Sequence, residues 1–171
     1  MKKDLRVQSP LWNILGIVIL VIAAYGVTHS FPIEWSKGKD GAIEIYITSH
    51  INWQLISAML LSLIYLPAYA YKFRQHNKLN PQHKVSMFSI QPPEYLEEDE
   101  MMRTVTQRAT QKVYTFISFA LPLATALFFI PMNRFWYIVI ILLIAIIQNL
   151  MYYFEIRKYV KEDKEEVSEF S

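Results

Sequence analysis

The chain has 171 residues, 53% of them hydrophobic, with 17 Lys and Arg against 15 Asp and Glu and no cysteine. The missing cysteine excludes disulfides, thiolate metal sites and thiol catalysis. The formal charge of +2 hides a strong segregation of basic residues, which bears on orientation.

Four apolar runs, residues 11–27, 55–71, 114–131 and 135–154, contain no charged side chain. Each reaches or approaches the roughly 20 helical residues needed to cross a bilayer core. In lipid only helices and closed barrels satisfy their own backbone, and the alternating pattern of barrel strands is missing. The sequence predicts an all-α integral membrane protein with four transmembrane helices arranged as two helical hairpins. Fourteen of the 17 basic residues fall in the two terminal segments and the central loop; only Lys37, Lys39 and Arg134 lie elsewhere. That imbalance predicts an N-in/C-in chain, with both termini and the central loop facing the cytoplasm. A basic loop beside a bilayer is explained by anionic headgroups, so no nucleic-acid partner is implied.

Lys2 and Lys3 ahead of an apolar stretch resemble a signal peptide, but Tyr25 and His29 stand where small residues would be needed for cleavage. The segment reads as a retained first span. Pro10 suits the first turn of that helix, and Trp12 suits an interfacial anchor. The first unit, residues 1–72, is a two-span hairpin with an extracytoplasmic loop at 30–52. Pro32, Gly38 and Gly41 make this loop turn-rich. Ile43, Ile45 and Ile47 alternate with Glu44, Tyr46 and Thr48, a strand period, and residues 31–35 are the available hairpin partner. Trp53 anchors the outer end of the second span, and Pro67 near its inner end predicts a kink.

Residues 73–113 form the cytoplasmic loop. After Pro92 and Pro93, five acids between Glu94 and Glu100 suit a helix N-terminus. Val105, Ala109 and Val113 then recur at helical spacing, which predicts an amphipathic helix on the inner surface before the third span. Met132, Asn133 and Arg134 join the last two spans as a tight helical hairpin over 114–155. Residues 156–171 form a charged cytoplasmic tail, read as a frayed, solvated extension of the last helix.

Within residues 11–72, Pro32-Ile33-Glu34-Trp35 followed by Gly38-Lys39-Asp40-Gly41, set between two spans, resembles a recurrent membrane domain. That domain, with a proline-x-histidine-aromatic and glycine-x-aspartate-glycine loop, forms the N-terminal part of SdpI-type immunity and signalling proteins. Glu34 replaces the usual histidine, and Ala42-Ile43-Glu44 replaces the lysine that commonly follows the second glycine. The resemblance implies immunity to, or sensing of, a membrane-active peptide, without the histidine's contribution.

Physically, Glu34, Trp35, Lys37, Gly38, Asp40 and Gly41 form a mixed-charge, aromatic ligand-binding candidate for a cationic amphipathic peptide. The competing account is a turn-rich cap with an ordinary interfacial tryptophan. Glu97, Glu98, Arg103 and Arg108 form a docking candidate for a cytoplasmic or membrane partner; the plainer account is a helix resting in the headgroup layer. Gln148 and Asn149 within the fourth run suit intramembrane polar packing. No ionisable residue lies at depth as a permeation path would require.

His29, His50, His76 and His83 show no close ligand spacing, so no metal or cofactor is expected, and no catalytic residue set is found. The leading expectation is a non-enzymatic peptide-immunity or peptide-sensing protein. An accessory or scaffold subunit of a transporter or envelope complex is the first alternative and a small-solute transporter the second. The lipid bilayer is the expected partner, and a homodimer is compatible with so thin a bundle.

Overall fold

The computed structural model describes residues 5–31, 33–37, 43–47, 50–79 and 100–169. Their order is helix α1 (Leu5–Ser30), strands β1 (Ile33–Lys37) and β2 (Ile43–Ile47), then helices α2 (Trp53–Leu79), α3 (Glu100–Leu127) and α4 (Arg134–Glu169). Three helical segments are long and apolar enough to cross a membrane: Gln8–Ser30, Trp53–Leu79 and Arg134–Lys158. At 1.5 Å per residue each is at least about 34 Å long, more than the ~30 Å hydrocarbon thickness.

The expected third span is met only in part. α3 stops at Leu127 and leaves roughly 14 apolar helical residues, about 21 Å, after Val113. The cause is local. Pro131 disfavours helical backbone at the residue before it, and the chain tightens first: Phe128, Phe129 and Ile130 donate to carbonyls three residues back, at 3.0–3.2 Å.

One proline expectation changes. α1 begins at Leu5, so Pro10 lies inside the helix rather than in its first turn, with its side chain fully buried. Pro67, where a kink is expected, lies within the continuous helix α2.

The expected surface helix before the third span is not a separate element. α3 is one helix from Glu100, and its stripe is covered by protein: Ala109 is 0% and Val113 9% exposed. An i, i+4, i+8 stripe of small and branched residues suits helix-against-helix packing as well as a lipid surface. α4 likewise stays helical to Glu169, so the tail is a continuous helix through that residue.

α1 and α4 form the central pair; α2 packs on α1 and α3 on α4. Each packed pair is antiparallel: Gly26 meets Leu55 and Gly16 meets Tyr65; Thr28 meets Arg134 and Asn13 meets Asn149; and α3 ends at Leu127 close before α4 starts at Arg134, while Lys112 meets Glu155 further from that turn. The alternation gathers Lys72, Arg74, Lys78, Arg103, Arg108, Lys112, Arg157 and Lys158 at one end, here the basic end. The strands lie at the other, the hairpin end.

β1 and β2 pair antiparallel, with Ile33 opposite Ile47, Trp35 opposite Ile45 and Lys37 opposite Ile43. The pairing strand thus runs two residues further along than the 31–35 segment expected from sequence. Residues directly opposite share a face and successive residues alternate. Ile33, Trp35, Ile45 and Ile47 therefore occupy positions of one face, and Glu34, Ser36, Glu44 and Tyr46 positions of the other.

Candidate functional site at the root of the hairpin

A two-stranded hairpin is marginal by itself in water, so what holds its base decides its behaviour. Asn52 immediately precedes α2 and caps it, its Oδ1 accepting the Leu55 N–H at 3.0 Å. The same side chain reaches back to α1, its Nδ2 donating to the Gly26 carbonyl at 3.2 Å. Ser30, fully buried at the end of α1, accepts the Asn52 N–H on Oγ at 3.4 Å and the His50 N–H on its carbonyl at 2.8 Å. Both chain ends of the hairpin are thereby tied where α1 stops and α2 starts.

A third helix joins them. Arg134, the first residue of α4, donates from its guanidinium to the Thr28 carbonyl at 2.9 Å and also to the Phe31 carbonyl. These are orphan carbonyls at a helix C-terminus, where the dipole favours a cation. Asn133 caps α4 in turn, its Oδ1 accepting the Phe135 N–H at 3.0 Å. The Tyr137 hydroxyl spans the preceding turn, accepting the Met132 N–H at 2.9 Å and donating to the Ile130 carbonyl.

Close approach of α1 and α2 makes the root possible. A Cβ on Gly26 would sit 2.8 Å from both the Cα and the N of Leu55. Nearer the basic end, Gly16 faces Tyr65, whose hydroxyl donates to the Trp12 carbonyl at 3.0 Å. Trp12 stacks on Tyr69 with ring centroids 5.6 Å apart, so the expected interfacial anchor is also part of an aromatic seam between the two helices.

Asn149 meets Asn13 of α1, which donates to it at 3.3 Å, while Tyr69 donates to Asn13 at 3.5 Å. Asn149 also donates to the Ala145 carbonyl of its own helix at 2.8 Å. Gln148 is half-buried and has no hydrogen-bond partner among the described residues. Substituting leucine at Asn13 and Asn149, singly and together, should give a coupling energy of about 0.6–1.7 kcal/mol in a detergent-unfolding double-mutant cycle. Additive effects would mean that the contact contributes nothing.

The remaining candidates divide. Glu34, Trp35 and Lys37 lie on β1; Gly38, Asp40 and Gly41 lie outside the described residues, as do Glu97 and Glu98. Arg103 is exposed on α3. Arg108 lines a groove of about 640 Å³ between α3 and α4, beside the Lys112–Glu155 ion pair. His29 stacks on Tyr25 at 4.0 Å with Phe135 edge-on, a packing environment. No group of three or more metal-ligating side chains occurs among the described residues.

Sequence reading passes over Ser30, Asn52 and Arg134 and the Lys112–Glu155 pair. Asn52 before Trp53 and Asn133 before the last apolar run are recognisable cap signals. Arg134 carries no local sign that it bonds to a helix more than a hundred residues earlier. In comparisons with known proteins, the chain matches no family model, no curated protein and no solved structure.

Proposed function

We propose that the chain is a non-enzymatic protein of the bacterial cytoplasmic membrane that recognises a cationic, membrane-active peptide at its outer hairpin and confers immunity to it or reports its presence. In this reading the basic end is cytoplasmic, the helices cross four times, and the turn after Leu127 completes the α3 crossing in the headgroup layer. The carrying observation is the root: Ser30, Asn52 and Arg134 bond the ends of α1, α2 and α4 to one another and to Phe31 and His50, between which the hairpin runs. A load on the hairpin is therefore a load on the relative positions of α1, α2 and α4. Two features support the ligand class. Glu34 and Glu44 occupy positions of one hairpin face, suited to a lysine-rich peptide, and the 32–41 loop resembles that of the SdpI-type proteins.

Expression of the chain should raise several-fold the concentration of a synthetic lysine–leucine amphipathic peptide needed to stop growth of a susceptible bacterium. The Glu34→Lys, Glu44→Lys double variant should abolish that protection at equal membrane abundance. Equal sensitivity with and without the chain would remove the proposal. Orientation is tested separately on this cysteine-free background. A membrane-impermeant maleimide should label Ser36→Cys in intact cells and leave Ser168→Cys unlabelled; the reverse pattern would invert the topology.

One observation favours a second reading, an accessory subunit of a transporter or envelope complex. α3 and α4 both continue as helices beyond their apolar segments into charged sequence at the basic end, where a protein partner has room to dock. A stoichiometric transporter component retained through mild-detergent purification would select this reading over peptide recognition.

A further inference from the structure

The hairpin face opposite Glu34 and Glu44 is used by neither reading above. Register puts Ile33, Trp35 and Lys37 of β1 and Ile43, Ile45 and Ile47 of β2 at positions of that face, all but Lys37 apolar. Among the described residues the two strands pair with each other, and neither packs along a helix. The chain also fixes the level of this face. Ile33 and Ile47 each stand three residues from the Ser30–His50 hydrogen bond, a reach of at most about 11 Å. Ser30 ends one span-length segment and Trp53 begins the next, so the base of the hairpin lies about a headgroup layer from the hydrocarbon. At the same end Ile51 and Trp53 are 75% and 72% exposed, and Trp136 of α4 is exposed as well. Tryptophans at the ends of spans mark the membrane–water interface.

We infer that the hairpin lies on the bilayer surface, with the Ile33–Trp35–Ile45–Ile47 face in the boundary between headgroups and hydrocarbon and the Glu34–Glu44 face towards water. An element with one apolar and one charged face settles in that boundary, as amphipathic surface helices do; a hairpin does so with alternate residues. Two features select lipid as the occupant. The exposed Ile51 and Trp53 adjoin the base of the hairpin, so its apolar face continues a surface that meets lipid in any membrane-crossing arrangement of α1 and α2. Lys37 stands at the far end of the same face, where a long stem can lie on apolar ground while its ammonium reaches the phosphates; a dry protein interface would strand that charge. The inference deepens the peptide reading and rests on its premise that α1 and α2 cross a membrane: the two acids are held at the surface where a membrane-active peptide arrives. It does not depend on the peptide. Lipid contact without protection would remove only the ligand, and protection without lipid contact would remove only this inference.

The chain has no cysteine, so a single introduced cysteine reports each face. Ile45→Cys and Ser36→Cys in the full chain are labelled with the fluorophore NBD in detergent and reconstituted into phosphatidylcholine vesicles. Each is then quenched by a lipid carrying a nitroxide high on its acyl chain, or by iodide present on both sides of the membrane. The lipid nitroxide should quench the Ile45→Cys label several-fold more than the Ser36→Cys label, and iodide should show the opposite preference. Equal lipid quenching at the two sites would overturn the inference, as would iodide reaching the Ile45→Cys label as freely as the other. Shielding of the Ile45→Cys label from both quenchers, the signature of a protein cover such as a second copy, would overturn it too. If Ile45→Cys disturbs the strand pairing, Trp35 itself gives the readout once Trp12, Trp53 and Trp136 are replaced by phenylalanine. Brominated acyl chains should then quench Trp35 and iodide should not; the reverse would overturn the inference.

Discussion

Gly26→Leu is expected to be the most damaging single substitution among the described residues, destabilising the protein by about 3 kcal/mol. The atoms in its way are the Cα and N of Leu55, each 2.8 Å from the position of a new Cβ. Backbone cannot rotate aside as a side-chain tip can, so α1 and α2 must separate. Separation breaks the Asn52–Gly26 bond and loosens the Ser30–Asn52 contact beside it. Alanine provides a graded control. In a helix interior it gains up to about 1 kcal/mol over glycine in intrinsic propensity, so net destabilisation by Gly26→Ala requires the clash to exceed that gain. At Gly16 the nearest atom to a new Cβ is the Tyr65 hydroxyl, 2.9 Å away, the far end of a side chain. Gly16→Ala should therefore cost less than Gly26→Ala. Unfolding in mixed micelles with increasing sodium dodecyl sulfate gives all three values, and the opposite ranking of the two alanine variants would refute the backbone-contact explanation.

Arg134→Gln should cost about 2 kcal/mol, below the sum of two charge-assisted hydrogen bonds because Arg134 keeps some solvent contact. The loss has two parts: the carbonyls of Thr28 and Phe31 lose their donor, and the C-terminal end of α1 loses a facing cation. Arg134→Lys should restore only part, since one ammonium does not reproduce the guanidinium fork. The Lys112–Glu155 pair is the contrast. Lys112 is 57% exposed, and Lys112→Gln should change stability by less than about 1 kcal/mol, with an effect that fades as salt is raised. The same unfolding assay at two salt concentrations separates the cases. Equal, salt-sensitive losses at both sites would show that Arg134 is an ordinary surface charge. In the peptide reading, Arg134→Gln should also reduce protection at normal membrane abundance, because it detaches α4 from the hairpin root.

Much of the helix placement is legible in the residues. The first, second and fourth apolar runs coincide with α1, α2 and the first part of α4, because a hydrocarbon solvent demands an uninterrupted apolar stretch of fixed length. The β2 strand follows from its period-2 alternation, and its pairing with the segment after Ser30 follows from the need for a neighbour. The third run is misjudged at its end, where Pro131 limits the helix before composition does. The stripe of Val105, Ala109 and Val113 is legible as a packing face, but its occupant is not: protein covers Ala109 and Val113, where a headgroup layer is expected.

The candidate site is less legible than the helices. Glu34, Trp35 and Lys37 are found from a local loop pattern, and Asn52 was available as a helix cap. Arg134 and Ser30 matter only because α4 stands beside α1, a pairing that no local pattern encodes. The residues alone determine which segments suit lipid, where the positive charge accumulates and which side chains cap helices. These depend on transfer into hydrocarbon and on neighbours a few positions away. The tertiary structure alone decides that α1 and α4 are central, that Gly26 meets Leu55 and that Arg134 closes the end of α1. In water a buried face differs in polarity from an exposed one and marks itself in the sequence; in lipid both faces are apolar, so the choice of partner rests on shape and a few polar contacts that appear only once the helices are side by side.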